Sequence, residues 1–161
     1  SVFRRTEQAL AEVIDEAQSE LLIVTYVAND IPDIVERLRA AKSERSVDIR
    51  VIVETHNFRG EQMSSTLKAF SDDVCEYATL YIWPIEERAP GSTKKKASLH
   101  AKCAIADDEL ALISSANLTS AAHERNMELG VLVRGGELPK KLRTHFNGLI
   151  QADILKKRRN N

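Results

Sequence analysis

His100 and Lys102 stand two residues apart in the run Ser98-Leu-His-Ala-Lys-Cys-Ala-Ile-Ala106. An imidazole is a nucleophile and a proton carrier, and an ammonium beside it can neutralise negative charge that develops on a reacting group. The period of two in an extended chain puts His100, Lys102 and Ala104 on one face, with Leu99, Ala101, Cys103 and Ile105 on the other, apolar one. By itself such a pair is also what any half-buried strand exposes. After a turn at Asp107-Asp108, the segment Ser114-Ser115-Ala116-Asn117 ends the next strand. It sets a hydroxyl and an amide two residues apart at a strand end, where α/β folds keep their sites. Asn117 or Thr119 would equally cap a short helix running through Glu124. Further on, Asn126 and Glu128 share a strand face whose reverse carries Met127, Leu129, Val131 and Val133. An inward carboxylate there needs a partner, because burying it alone is costly.

Together these residues resemble the signature of the phospholipase D superfamily. That signature is His, any residue, Lys, four residues, Asp, then six residues before Gly-Ser-x-Asn. Here His100-x-Lys102 reaches Asp107 after four residues and Ser114-Ser115-Ala-Asn117 after six more. Glu128 stands where the family often has Asn-x-Glu, and Ser114 departs from the usual Gly. The resemblance is sharpest from Leu99 to Val133.

The resemblance implies a phosphodiesterase in which His100 attacks phosphorus to give a phosphohistidine, dividing one displacement into two. Lys102 and Asn117, with Ser115, would hold the nonbridging oxygens. Glu128 would accept the proton on the far ring nitrogen of His100, and Asp107, counted with the catalytic residues, would position the turn and support the site by hydrogen bonds rather than react. Neither metal nor cofactor is called for. The family also needs a second histidine as general acid. His56, His123 and His145 lack a Lys two residues on, so the second motif should come from another copy in a homodimer. The segments Leu99 to Ala106 and Ser114 to Val133 look further like the phospholipase-D-like component of DISARM-type anti-phage systems. That implies DNA as substrate and other defence proteins as partners.

The elements that must position these groups are legible as an α/β pattern. Leu10, Val13, Ile14 and Ala17 recur at helical spacing, and Leu21 to Val27 is apolar on both faces, as in a buried strand. Asp30 reads as an N-cap before a helix carrying Ile31, Ile34, Val35 and Leu38, and the strand Val47 to Val53 follows. A βαβ order predicts a parallel pair and a layered α/β domain: a mixed sheet, largely parallel at its centre, with helices on both faces. Arg59 to Phe70 reads as a weaker helix, Thr79 to Trp83 as a strand and Ile85 to Ala97 as an exposed loop. The strands Ser98 to Ala106, Glu109 to Ile113 and Asn126 to Arg134 come next. Gly135-Gly136 then turns into a helix carrying Leu138, Leu142, Phe146 and Leu149.

At 161 residues the chain predicts one domain, residues 1–155, followed by a basic tail at 156–161. With 43% apolar and 29% charged residues it reads as globular and not disordered, and no apolar run could span a bilayer. No signal peptide is evident, so a cytoplasmic location is expected. Two cysteines form neither a metal site nor a disulfide framework. A net charge of −1 leaves any polyanion binding to a local patch. Lys94-Lys95-Lys96, just before His100, is the candidate patch, and a merely solvated loop is its alternative. Two other functions remain open: a phospholipid phosphodiesterase or phosphatidyl transferase, for which no apolar membrane-facing segment is evident, and a non-catalytic nucleic-acid-binding module.

Overall fold

The helical spacing of Leu10, Val13 and Ile14 becomes the buried stripe of helix α1, Thr6–Glu16, in a computed structural model of the chain. The structure describes residues 5–25, 28–29, 32–57, 61–62, 72, 74–89, 96–119 and 127–158. Asp30, the expected helix Arg59 to Phe70 apart from Glu61 and Gln62, Lys94, Lys95, His123, Asn126 and the end of the basic tail lie outside the described residues; Gln62 forms an antiparallel bridge with His56 and not a helical turn.

Strand β1, Glu20–Thr25, is buried on both faces, as its unbroken apolar run requires. After the two-residue strand β2, Ala28–Asn29, comes helix α2, Pro32–Arg45, and then β3, Asp48–Val53. The βαβ order yields the expected parallel pair, with Leu21 opposite Ile49 and Ile23 opposite Val51. Strand β4, Thr79–Ile82, extends the parallel centre beside β3.

The remaining partners are antiparallel: β5, Cys103–Ala106, on β1; β6, Leu110–Ser114, on β5; and β8, Gly130–Arg134, on β6. With β9 the short strand Lys156–Lys157, the seven-stranded order is β8-β6-β5-β1-β3-β4-β9. A separate parallel pair joins β2 to β7, Leu118–Thr119. Helices α1 and α2 cover one face, packing Val13, Ile14, Ile34 and Leu38 against Ile23 and Val51. Helix α3, Leu138–Gln151, covers the other, setting Phe146 and Leu142 against Leu22, Ile52 and Ile105. The mixed sheet with helices on both faces is therefore as expected.

Four local expectations need correction. The strand anticipated from Ser98 begins only at Cys103, because polar groups elsewhere capture the backbone before it: the Leu99 N–H donates to Glu54 and the Ala97 carbonyl accepts from Arg88. The strand anticipated from Asn126 begins at Gly130. In the supposedly exposed loop, Arg88 is 2% exposed. Lys156–Lys157, expected in a solvated tail, form strand β9 instead, pairing with Ile82 and Tyr81 of β4. Arg158 then donates its N–H to the Leu80 carbonyl at 2.8 Å.

Candidate functional site

The ends of β1 and β3, the start of β5 and the end of β6 all meet at one end of the sheet. His100 is exposed there, two residues before Lys102, whose Nζ donates to the His100 carbonyl at 2.9 Å. Register is kept by the Ser114 N–H, which donates to the Lys102 carbonyl at 3.1 Å. A small cavity of about 30 Å³ opens among Thr25, Lys102, Ser114, Ala116 and Asn117. Asn117 Oδ1 is buried without a hydrogen-bond partner. A space of that size holds one water-sized polar group, and an unsatisfied buried acceptor favours filling it.

Ser114, the departure from the family's Gly, has a local purpose. Its Oγ accepts the Ala116 N–H at 2.9 Å, a side-chain turn that swings the chain out of β6 toward Asn117. Room for it comes from Gly130, its partner in β8, where an added Cβ would lie 3.3 Å from the Ser114 Cβ. The turn leaves the Ser115 hydroxyl facing the approach to β8. That hydroxyl donates to Glu128 Oε2 and accepts the Leu129 N–H at 3.1 Å. The Ser115 N–H meanwhile donates to the Leu129 carbonyl at 2.9 Å. Glu128 thus has a hydroxyl partner, as a half-buried carboxylate requires.

Asp107 is not with the others. It lies at the opposite end of β5, about 17 Å from Lys102 at ~3.4 Å per residue. There, at a positive φ of 53° that Asp tolerates, it accepts the N–H groups of Gln18, Ser19 and Glu20 and the Ser19 hydroxyl at 2.7 to 3.0 Å. Burial alone would raise its pKa. The Ser19 hydroxyl and those backbone donors outweigh it and hold the carboxyl below its ordinary value. Lys96, the described member of the lysine run, turns inward and donates from Nζ to the Arg88 carbonyl at 2.9 Å. It therefore braces the loop instead of reaching outward.

Beside Lys102, burial pushes the Cys103 thiol up to about 12, so it supplies no thiolate at neutral pH. Among the described residues no group of three or more His, Cys, Asp or Glu is placed to hold a metal ion, and no helix is long and apolar enough to cross a membrane.

Two features escaped sequence reasoning. One is the fully buried ion pair of Glu54 and Arg88, with Nη1 2.7 Å from Oε2. Its signal was a carboxylate directly after the apolar run of β3, a position that only a paired charge can occupy. The other is an apolar stripe: Met127 is 102% exposed, Leu129 80%, Val131 60% and Ile113 40%. Alternation put Met127, Leu129 and Val131 on one apolar face, opposite Glu128, and left open what covers it. Yet α3 covers only the Ala111 end of that sheet face, leaving the end beside Ser115 bare.

Residues 10–150 match the family described as cardiolipin synthase, PLD-like domain. The chain is 27% identical over 143 residues to the DISARM protein DrmC of Bacillus paralicheniformis, an alignment that takes in 83% of this chain and 51% of that relative. The chain thus spans about half of DrmC. Among solved structures, NucT from Helicobacter pylori superposes with a TM-score of 0.74 at 16% identity, covering 90% of this chain and 87% of NucT. Nuc from Salmonella typhimurium, a phospholipase D family member, gives 0.72 at 22% identity, covering 96% and 91%.

Proposed function

The chain belongs to the phospholipase D-like family, and from that membership we propose a metal-independent phosphodiesterase, a nuclease cleaving DNA in a homodimeric site as part of anti-phage defence. The observation that carries the reading is that the segments bearing His100, Lys102, Ser115, Asn117 and Glu128 lie at one end of the sheet, where Lys102 and Asn117 line a small cavity and Glu128 holds the Ser115 hydroxyl. In the first step the His100 imidazole attacks phosphorus, a P–N bond forms and the P–O bond to the leaving alkoxide breaks. The alkoxide takes a proton from His100 of the second copy. That histidine then draws a proton from water, whose oxygen attacks the phosphohistidine and releases His100 with the product phosphate ester.

Lys102 and the Asn117 amide stabilise the negative charge as it grows on the nonbridging oxygens. Glu128, already holding the Ser115 hydroxyl, would take the far ring N–H of His100 and favour the imidazolium form. Lys94 and Lys95 would lie along the entering strand's phosphates. The bare stripe of Ile113, Leu129 and Val131 supports the dimer: it adjoins Ser115 and Glu128, so a second copy seated on it would bring its own site alongside. The likeness to the DISARM protein DrmC supports the defence setting.

The test is a panel of single-stranded DNA, duplex DNA, RNA and phosphatidylcholine vesicles with excess EDTA. Cleavage of DNA in chelator, by a dimer, is expected. Activity lost on chelation and restored by a divalent ion would overturn the mechanism. Cleavage of vesicles alone would make the enzyme a lipid phosphodiesterase, and DNA binding without cleavage a binding module.

A further inference from the structure

Glu54 and Arg88 have no part in the chemistry just described, yet they form the most thoroughly buried polar pair among the described residues, with both side chains 0% exposed. Their hydrogen bonds converge on the segment that carries His100. Arg88 donates to both Glu54 oxygens at 2.7 and 2.8 Å, to the Trp83 carbonyl at 3.1 Å from Nε, and to the Ala97 carbonyl at 2.9 Å. Its guanidinium also lies over the Trp83 ring, 4.9 Å from the centroid. Glu54 Oε2 accepts the Leu99 N–H at 2.8 Å, while Oε1 accepts the N–H groups of Thr55 and His56 at 2.8 and 2.9 Å. One carboxylate therefore fixes the residue next to His100 to the end of β3, and one guanidinium fixes Ala97 to the end of β4.

We propose that Glu54 and Arg88 are positioning residues that set the backbone before His100 and so aim its imidazole. The inference rests on His100 being the nucleophile of the proposed function. The segment 97–101 precedes β5 and belongs to no strand, and the bonds from this pair stand where ladder bonds would. A buried ion pair contributes little net stability over an apolar pair of the same volume, and fixing one arrangement among several is the better account of such a pair. The geometry of an attacking group tolerates little error, a misplacement of about 1 Å costing about 100-fold.

The experiment compares Glu54→Gln and Arg88→Lys with wild type by two readouts: DNA cleavage kinetics, and the NMR lines of the His100 and His145 rings. Arg88→Lys keeps the charge but loses the fork, and so serves where Glu54→Gln fails to fold. His145 lies exposed on α3 and reports general loss of structure. Expected are a shifted or split His100 line, an unchanged His145 line, and a kcat lowered roughly 100-fold with KM within about twofold. Unmoved His100 lines with wild-type kcat in both variants would overturn the proposal. So would a parallel loss of the His100 and His145 lines in both, which marks the pair as merely structural. If the wild type cleaves nothing while the His100 line still shifts selectively, the positioning stands and the functional reading fails.

Discussion

The two ends of the sheet handle their polar groups in opposite ways. At the end holding Asp107, the groups satisfy one another: Asp107 caps the start of β1, Arg143 forks onto Asp108 at 2.7 and 2.9 Å, and Arg50 reaches Asn147 Oδ1 at 2.8 Å. At the end holding His100, an amide oxygen of Asn117 is buried without a partner, the imidazole faces outward and an apolar stripe lies open. One end is closed by its own chemistry; the other keeps a buried acceptor without a partner beside an exposed apolar stripe. Members of a single sequence motif, Lys102 and Asp107, thus fall on different sides of that division.

The sharpest way to break the comparison is to disable the open end. His100→Asn should lower turnover by at least about 10⁴-fold while unfolding stability stays within roughly 0.5 kcal/mol, because an exposed side chain contributes little to the fold. When this variant is mixed with wild type and subunits exchange, activity should fall as the square of the wild-type fraction; a linear fall would show that each chain works alone. Next, Leu129→Asp in the apolar stripe should convert dimer to monomer in sedimentation and lower turnover roughly 100-fold, since burying an unpaired carboxylate in the interface is costly. Full activity in a monomer would remove the stripe from the site.

Glu128→Gln is expected to lower kcat by about 10- to 100-fold with the fold intact, as a neutral amide no longer favours the imidazolium. Unchanged turnover would confine Glu128 to holding Ser115. At the closed end the effect should fall on stability and not on turnover. Asp107→Asn should leave turnover of the folded enzyme within about twofold and reduce stability by roughly 1–2 kcal/mol through weakened charge-assisted bonds, discounted for partial exposure. The folded pKa of Asp107 is lowered, so its contribution is fully present above the ordinary value of 3.8 and is lost as pH falls through the lower folded value. Acid unfolding curves of wild type and variant should therefore converge below that range. A kinetic defect in a stable Asp107→Asn would sink the division between the ends.

The fold was legible wherever periodicity faced the core. Leu10, Val13 and Ile14, the run of β1 and the βαβ order gave the sheet's parallel centre directly. Strand starts at residues 98 and 126 were misplaced because alternation begins in sequence before the ladder does; at residue 98 the tertiary bonds to Glu54 and Arg88 reveal the break. The spacing named His100, Lys102, Ser115, Asn117 and Glu128, but counting Asp107 with them overlooked that the four strand residues between it and Lys102 carry it to the other end of the sheet. Glu54 and Arg88, 34 residues apart, left no shared pattern to read. Alternation grouped Leu129 and Val131 on one apolar face, but it cannot distinguish a face covered by a helix from one left exposed.

The placement of β1 also governs the order in which the chain can fold. Its hydrogen bonds run to β3 on one side and to β5 on the other, and Asp107 caps it from 87 residues downstream of Glu20. During synthesis α1, β1, α2 and β3 can therefore assemble early, but β1 keeps a bare apolar edge until β5 emerges. Such long-range pairing slows folding and gives an incomplete chain time to pair with its neighbours. The strand at the heart of the finished sheet is, on the ribosome, the exposed edge that a chaperone would have most reason to shield.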